Sequence, residues 1–171
     1  MPISVHQASI PLFEQMLESL SAVLEKAKVY CAETKTVPAE FLELRLAPDM
    51  FTLTQQVQRA CGHAGGSAAR LAGIEVPVEA DDEAGFEDLH ARIERTRGFL
   101  AGLTAEQLAA SESRAIEQPT RIGTLTFASG PEYLFHFAIP QFMFHATTAY
   151  GIIRHAGVQI GKVDYMGSAL R

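Results

Sequence analysis

Two side chains near the end of the chain are spaced for joint chemistry. Gln141 and His145 stand four residues apart in the run FHFAIPQFMFHATTAYG. On a helix turning ~100° per residue they share one face, offset by about 40°. A metal site of bundle type takes imidazoles or carboxylates from facing helices, often as a pair three or four apart on one of them. Here an amide stands where a second imidazole would be, and neutral amides are poor ligands for zinc or nickel. His145 therefore has three readings: a hydrogen-bonded core histidine, a contact for a small ligand, or a ligand to a divalent metal. Thr147, Thr148 and Tyr150 add hydroxyls nearby. These serve a ligand, with Thr148 the nearest candidate, or they bond back to helix carbonyls.

Other histidines are placed less well. His136 precedes His145 by nine residues, which on an unkinked helix puts it on nearly the opposite side and about 13 Å away along the axis. A kink at Pro140 could redirect it. His155 lies about 15 Å beyond His145 and suits the negative end of the helix dipole. His63 is the one histidine of the second long helix, at the border of its apolar face. The two cysteines, Cys31 and Cys61, make no disulfide framework, and Cys61 and His63 point apart on a helix, so no Cys–His dyad is indicated. No phosphate loop, dinucleotide motif or nucleophile elbow occurs.

The elements that must position these residues are four helices. The first begins at a capping box, Ser4 with Gln7, and carries a stripe from Phe13 through Leu17, Leu20 and Leu24 to Cys31. Pro11 lies inside it and predicts a kink or a later start. Residues 36–49 form a connection whose Phe41, Leu42, Leu44 and Leu46 fold onto the bundle. The second helix starts at another box, Thr52 with Gln55, and its middle, from Ala60 to Ala69, is built almost wholly of small residues. Three glycines there imply either a close neighbouring helix or room for a ligand. An acidic linker, IEVPVEADDE, leads to a third helix with Phe86, Leu89, Ile93, Thr96, Leu100 and Leu103 on one face. Its charged residues, Arg92 among them, read as a solvated face. A third box, Thr104 with Gln107, opens a short helix. Two extended pieces, about 114–116 and 124–127, then suggest a small hairpin turning at Pro119 and Gly123. The last helix is capped by Ser129, kinked at Pro140 and ended by Gly157. It has no Asp, Glu, Lys or Arg between Tyr133 and Ile153, which predicts a central wall wrapped by the other three.

Composition bounds the function. The 171 residues fit a single domain spanning 1–171, with 47% hydrophobic and 20% charged residues, as expected of a globular protein with an ample core. A net charge of −6 and the lack of a local Lys/Arg cluster argue against nucleic acid. The N-terminus MPISVHQASI has neither a basic nor an apolar leader segment, and the cysteine usage suits a reducing, cytoplasmic setting. The uncharged run has the length of a membrane span, but two histidines, a glutamine, two threonines and an interior proline argue against one.

With RLAPDMFTLTQQVQRA and the following RLAG, FEDLHARIERTRGFL, and the final FHATTAYGIIRHAGV-IGK-D in view, the chain resembles the DinB/YfiT-like four-helix-bundle superfamily, in a bacterial branch known as a domain of unknown function. The resemblance covers nearly the whole chain. It implies an all-α bundle that commonly forms homodimers. In the wider superfamily it implies a divalent metal held by one histidine of the second helix and an HxxxH pair of the last, used by some members for thiol-dependent transfer. Carried over, His145 matches the second histidine of that pair, Gln141 stands in place of the first, and His63 is the one candidate from the second helix. The leading expectation is a homodimeric bundle that lacks the full triad. It either binds a small molecule around Gln141, His145 and Thr148 without a cofactor or serves a structural role. The alternatives are a nickel- or zinc-dependent enzyme of thiol-transferase type using His63, His145 and His136, and a partner-binding module.

Overall fold

The apolar stripes fold as four long helices in a computed structural model that describes residues 3–170. In chain order these are α1 (Val5–Thr34), short α2 (Pro38–Leu42), α3 (Leu53–Ala72), α4 (Phe86–Ala101), short α5 (Ala105–Ala109), a hairpin β1 (Ile116–Thr120) and β2 (Gly123–Phe127), α6 (Gly130–Tyr133), α7 (Ile139–His155) and short α8 (Lys162–Met166). All three capping boxes are present: Ser4 with Gln7, Thr52 with Gln55, and Thr104 with Gln107. Each satisfies two backbone donors that a helix start would otherwise leave unpaired. α1 begins at Val5 and runs through Pro11, whose ring lies on the exposed side, where water can reach the carbonyl it leaves unpaired.

The expected faces are buried. Phe13, Leu17 and Leu24 of α1, Leu53, Val57 and Leu71 of α3, and Leu89, Ile93 and Leu100 of α4 join one continuous core. Phe13 meets Phe142 of α7 edge to face at 5.0 Å. None of the described helices is long and apolar enough to cross a membrane.

Two local expectations are refined. The hairpin turns at Arg121–Ile122, because Thr120 pairs with Gly123, so Pro119 lies within β1 opposite Thr124. A proline is tolerated there because neither strand has a second neighbour that needs its N–H. The last helix changes type just before Pro140, which lies in the first turn of α7. Leu134–Ala138 forms one π-helical turn between α6 and α7, in which the Ile139 N–H donates to the Leu134 carbonyl five residues back. The wider turn makes room for the proline ring against the preceding turn. Gly157 ends α7 as expected: its φ is +108°, and a side chain there would run into the Tyr30 hydroxyl, which donates to the Ala156 carbonyl at 3.1 Å. The tail then forms α8 and docks on α1 through Lys26–Asp164 at 2.6 Å and Gln15 Nε2 to the Met166 carbonyl at 3.0 Å.

α7 is not the centre of the bundle. It packs on α1 and, most extensively, on α3, while α4 packs on the same two helices. In a square of four helices each has two neighbours, so an uncharged sequence does not by itself wrap a helix on all sides. The outward stripe of the last helix, including His136, Pro140, Phe144 and Thr147, is exposed.

The charges of α4 are not all solvated either. Arg92 and Glu83 have side chains only 5% and 3% exposed and pair at 3.0 Å. Arg92 also donates to the Ala80 carbonyl, and Gln58 Nε2 donates to Glu83 Oε2 at 2.8 Å. This buried pair straps the 74–85 linker across α3 and α4. Removing Glu83 leaves the buried Arg92 with only the more exposed Asp81, at 3.0 Å, as its counter-charge. Glu83→Ala is expected to cost about 3 kcal/mol in urea denaturation, and pairing Glu83→Leu with Arg92→Met to recover most of that loss.

Candidate functional site

The α3–α7 contact brings together two histidines 82 positions apart in sequence. The rings of His63 and His145 stack with centroids 5.3 Å apart and planes 11° from parallel. His145 is buried at 6% exposure and His63 is half-buried. Aromatic rings frame the pair: Phe137 lies 6.2 Å from His63, while Phe51 and Phe144 lie 6.2 and 5.2 Å from His145.

A second amide, not the one expected, holds His145. Its Nδ1 lies 2.7 Å from Oε1 of Gln56, which is 1% exposed on α3. Gln56 Nε2 donates to the Phe51 carbonyl, so its oxygen faces the ring and Nδ1 must carry the proton. The Nε2 of His145 is then left with an open lone pair. Gln56 and His63 are seven apart, two turns along one helix face. That polar pair on a helix of small residues was the available signal for Gln56.

The remaining candidates separate. Gln141 is half-buried and makes no side-chain hydrogen bond among the described residues. Thr148 is buried, but its hydroxyl donates to the Phe144 carbonyl at 2.7 Å, so the proton is committed within the helix. His136 lies on the exposed stripe and makes no contact with the stacked pair among the described residues. Cys61 sits in the core, where burial pushes its thiol up to about 12, so it is no nucleophile at neutral pH.

Both imidazoles are held neutral. Burial lowers His63 to about 4, assisted by the neighbouring His145, Arg59 and Arg70. Burial, with Arg59 behind it, lowers His145 to about 4 as well. Such weak bases are poor proton acceptors in general-base catalysis near pH 7, but good hydrogen-bond acceptors.

Two stacked imidazoles hold their lone pairs in separate, near-parallel planes, whereas a metal ion needs them to converge on one point. Among the described residues no group of three His, Cys, Asp or Glu could hold an ion. The third protein ligand of a catalytic zinc would have to be an amide, and the oxygen of Gln56 is already engaged. As arranged, the donor set does not fit a three-ligand divalent centre.

Residues 5–166 match the family model described as Domain of unknown function (DUF1993). The chain belongs to this family. It is also similar to the crystal structure of a DinB family member protein from Shewanella denitrificans, at 36% identity and a TM-score of 0.88, over 95% of this chain and 92% of that one. No curated protein matches in sequence. The DinB-like bundle expected from the sequence is therefore the fold of this DUF1993 protein.

The depressed histidines tie stability to acid. Their folded values near 4 lie below the ordinary 6.5, so between these limits the unfolded chain binds more protons. Stability is expected to be flat above about pH 6.5 and to fall towards pH 4, with a slope approaching two protons in the wild type and about one in His145→Phe, read from urea midpoints across pH. Gln56→Leu, which strands a buried ring nitrogen, is expected to cost about 1–3 kcal/mol in the same assay.

Proposed function

We propose that this DUF1993 protein binds a small molecule at the His63–His145 pair, with His145 Nε2 accepting a hydrogen bond from it. The observation that supports this most is the Gln56 contact, which fixes the tautomer and leaves an unprotonated nitrogen facing away from the amide. Three neighbouring aromatic rings supply the apolar surface that small-ligand sites use around a few polar groups. The absence of an activated nucleophile beside the pair, with Cys61 buried and protonated, favours binding over covalent catalysis. Saturation-transfer NMR with a panel of hydroxyl- and amide-bearing fragments is expected to find binders whose signal disappears in His145→Phe. Calorimetric titration of Zn²⁺ or Ni²⁺ is expected to show no stoichiometric binding tighter than about micromolar. Tight one-to-one binding lost in His145→Ala would contradict this reading and favour the metal-dependent enzyme.

A specific observation favours a second role alongside the first. Phe135 and Phe144 are 58% and 54% exposed on the last helix, on a surface that carries no charge. Such a face suits an identical face on a second copy, since a two-fold interface sets like against like. Light scattering is expected to give twice the chain mass of 18.6 kDa, reverting to one chain in Phe144→Glu.

A further inference from the structure

The face of α3 that holds His63 also opens into a cleft of about 200 Å³, lined by Arg59, Gly62, His63, Ser67 and Arg70, with Val76 of the linker and Gln118 of β1 as its walls. Its polar walls are largely committed. The Tyr133 hydroxyl donates to Gln118 Oε1 at 2.9 Å and lies 3.1 Å from Ser67 Oγ, and Gln118 Nε2 donates to the Pro119 carbonyl. The donors left over are cationic. Arg59 is shared with Asp81, which is itself paired with Arg92. Arg70 is different: one guanidinium nitrogen donates to the Gly66 carbonyl at 3.0 Å, and among the described residues it makes no ion pair. The ring of His63 likewise makes no hydrogen bond among the described residues. A cleft with one uncompensated guanidinium, a second that is only partly compensated and a neutral imidazole is therefore electropositive, although the whole chain carries −6.

From this we infer that the cleft binds the oxyanion of a small molecule, a carboxylate or a phosphate, with Arg70 as its principal contact, Arg59 as its second and His63 beside it. Guanidinium groups bind such groups through paired, charge-assisted hydrogen bonds. The volume admits an anionic headgroup with a few further atoms and is too small for a nucleotide. Gly62 bears on access: a Cβ built there meets nothing within 4 Å, so the cleft mouth is open at that position. Close helix packing therefore does not account for the glycine at this position. At Gly65, by contrast, a Cβ would make ordinary contacts with Thr96 and Phe99 of α4.

The inference rests on the small-molecule reading of the imidazole pair, and the two fail differently. In chelator-treated protein, inorganic phosphate and lactate are each titrated while the backbone amides of Gly62, Gly66, Val76 and Gln118 are followed by NMR. Saturating shifts at these four positions at millimolar concentration are expected for at least one probe, and whichever binds more tightly identifies the source of the oxyanion. Arg70→Gln is expected to weaken that binding about tenfold or more, the worth of a charge-assisted contact. Gly62→Glu, which places a carboxylate at the mouth without crowding the helix, is expected to abolish it, while Arg97→Gln on α4 leaves it unchanged. Silent amides with both probes, or binding indifferent to both Arg70→Gln and Gly62→Glu, would overturn the inference without touching His145. Tight metal binding at His145 would overturn the underlying reading and leave the phosphate shifts in metal-free protein as they were.

Discussion

A neutral histidine buried in the wall of a helical bundle needs a partner for its ring N–H, and one hydrogen bond across the α3–α7 interface supplies it. Gln56 Oε1 accepts the hydrogen bond that His145 Nδ1–H donates, and the amide is itself anchored to the Phe51 carbonyl. The bond fixes the ring's orientation and its tautomer together, as second-shell partners do for metal-bound histidines. With the ring so fixed, His63 on the same helix as Gln56 stacks against it, and burial keeps both neutral. A different register between the two helices would take His145 away from Gln56 and His63 at once.

Much of this architecture is local and therefore legible in sequence. A capping box is four residues long, and all three boxes formed where the spacing of Ser or Thr and Gln predicts them. The stripes of α1, α3 and α4 likewise need only a 3.6-residue period to be read. The long-range features were hidden. The partner of His145 lies 89 residues away, and which amide reaches it depends on how far α7 slides along α3. Gln141 was the nearer amide in sequence, but it shares a helix with His145, and the bond came from the opposing one. Arg92 looked like one charge among many on α4. Its burial arises because the linker folds back and delivers Glu83 to it.

The reading of α7 failed for a related reason. Lack of charge says that a helix is not penalised by burial, but not how many neighbours it has. Two helices cover α7 and the rest of its surface stays open, with Phe144 on it and Phe135 exposed in the π turn just before. The glycine-rich centre of α3 divides in the same way between the two uses its composition allowed: Gly65 faces α4, and Gly62 faces a polar cleft. Net charge was equally blind, since a chain of −6 still gathers Arg59 and Arg70 beside one neutral imidazole.

The protonation state of the His145 ring is the quantity from which the functional reading follows, and ring nitrogen shifts from a long-range ¹H–¹⁵N correlation spectrum of metal-free protein at pH 7 measure it directly. The expected spectrum shows a neutral ring with a protonated Nδ1 and an unprotonated Nε2. In Gln56→Leu the same ring is expected to lose that preference. A protonated Nε2, or a doubly protonated imidazolium at neutral pH, would contradict the account, because the nitrogen assigned to receive a ligand would already carry a proton.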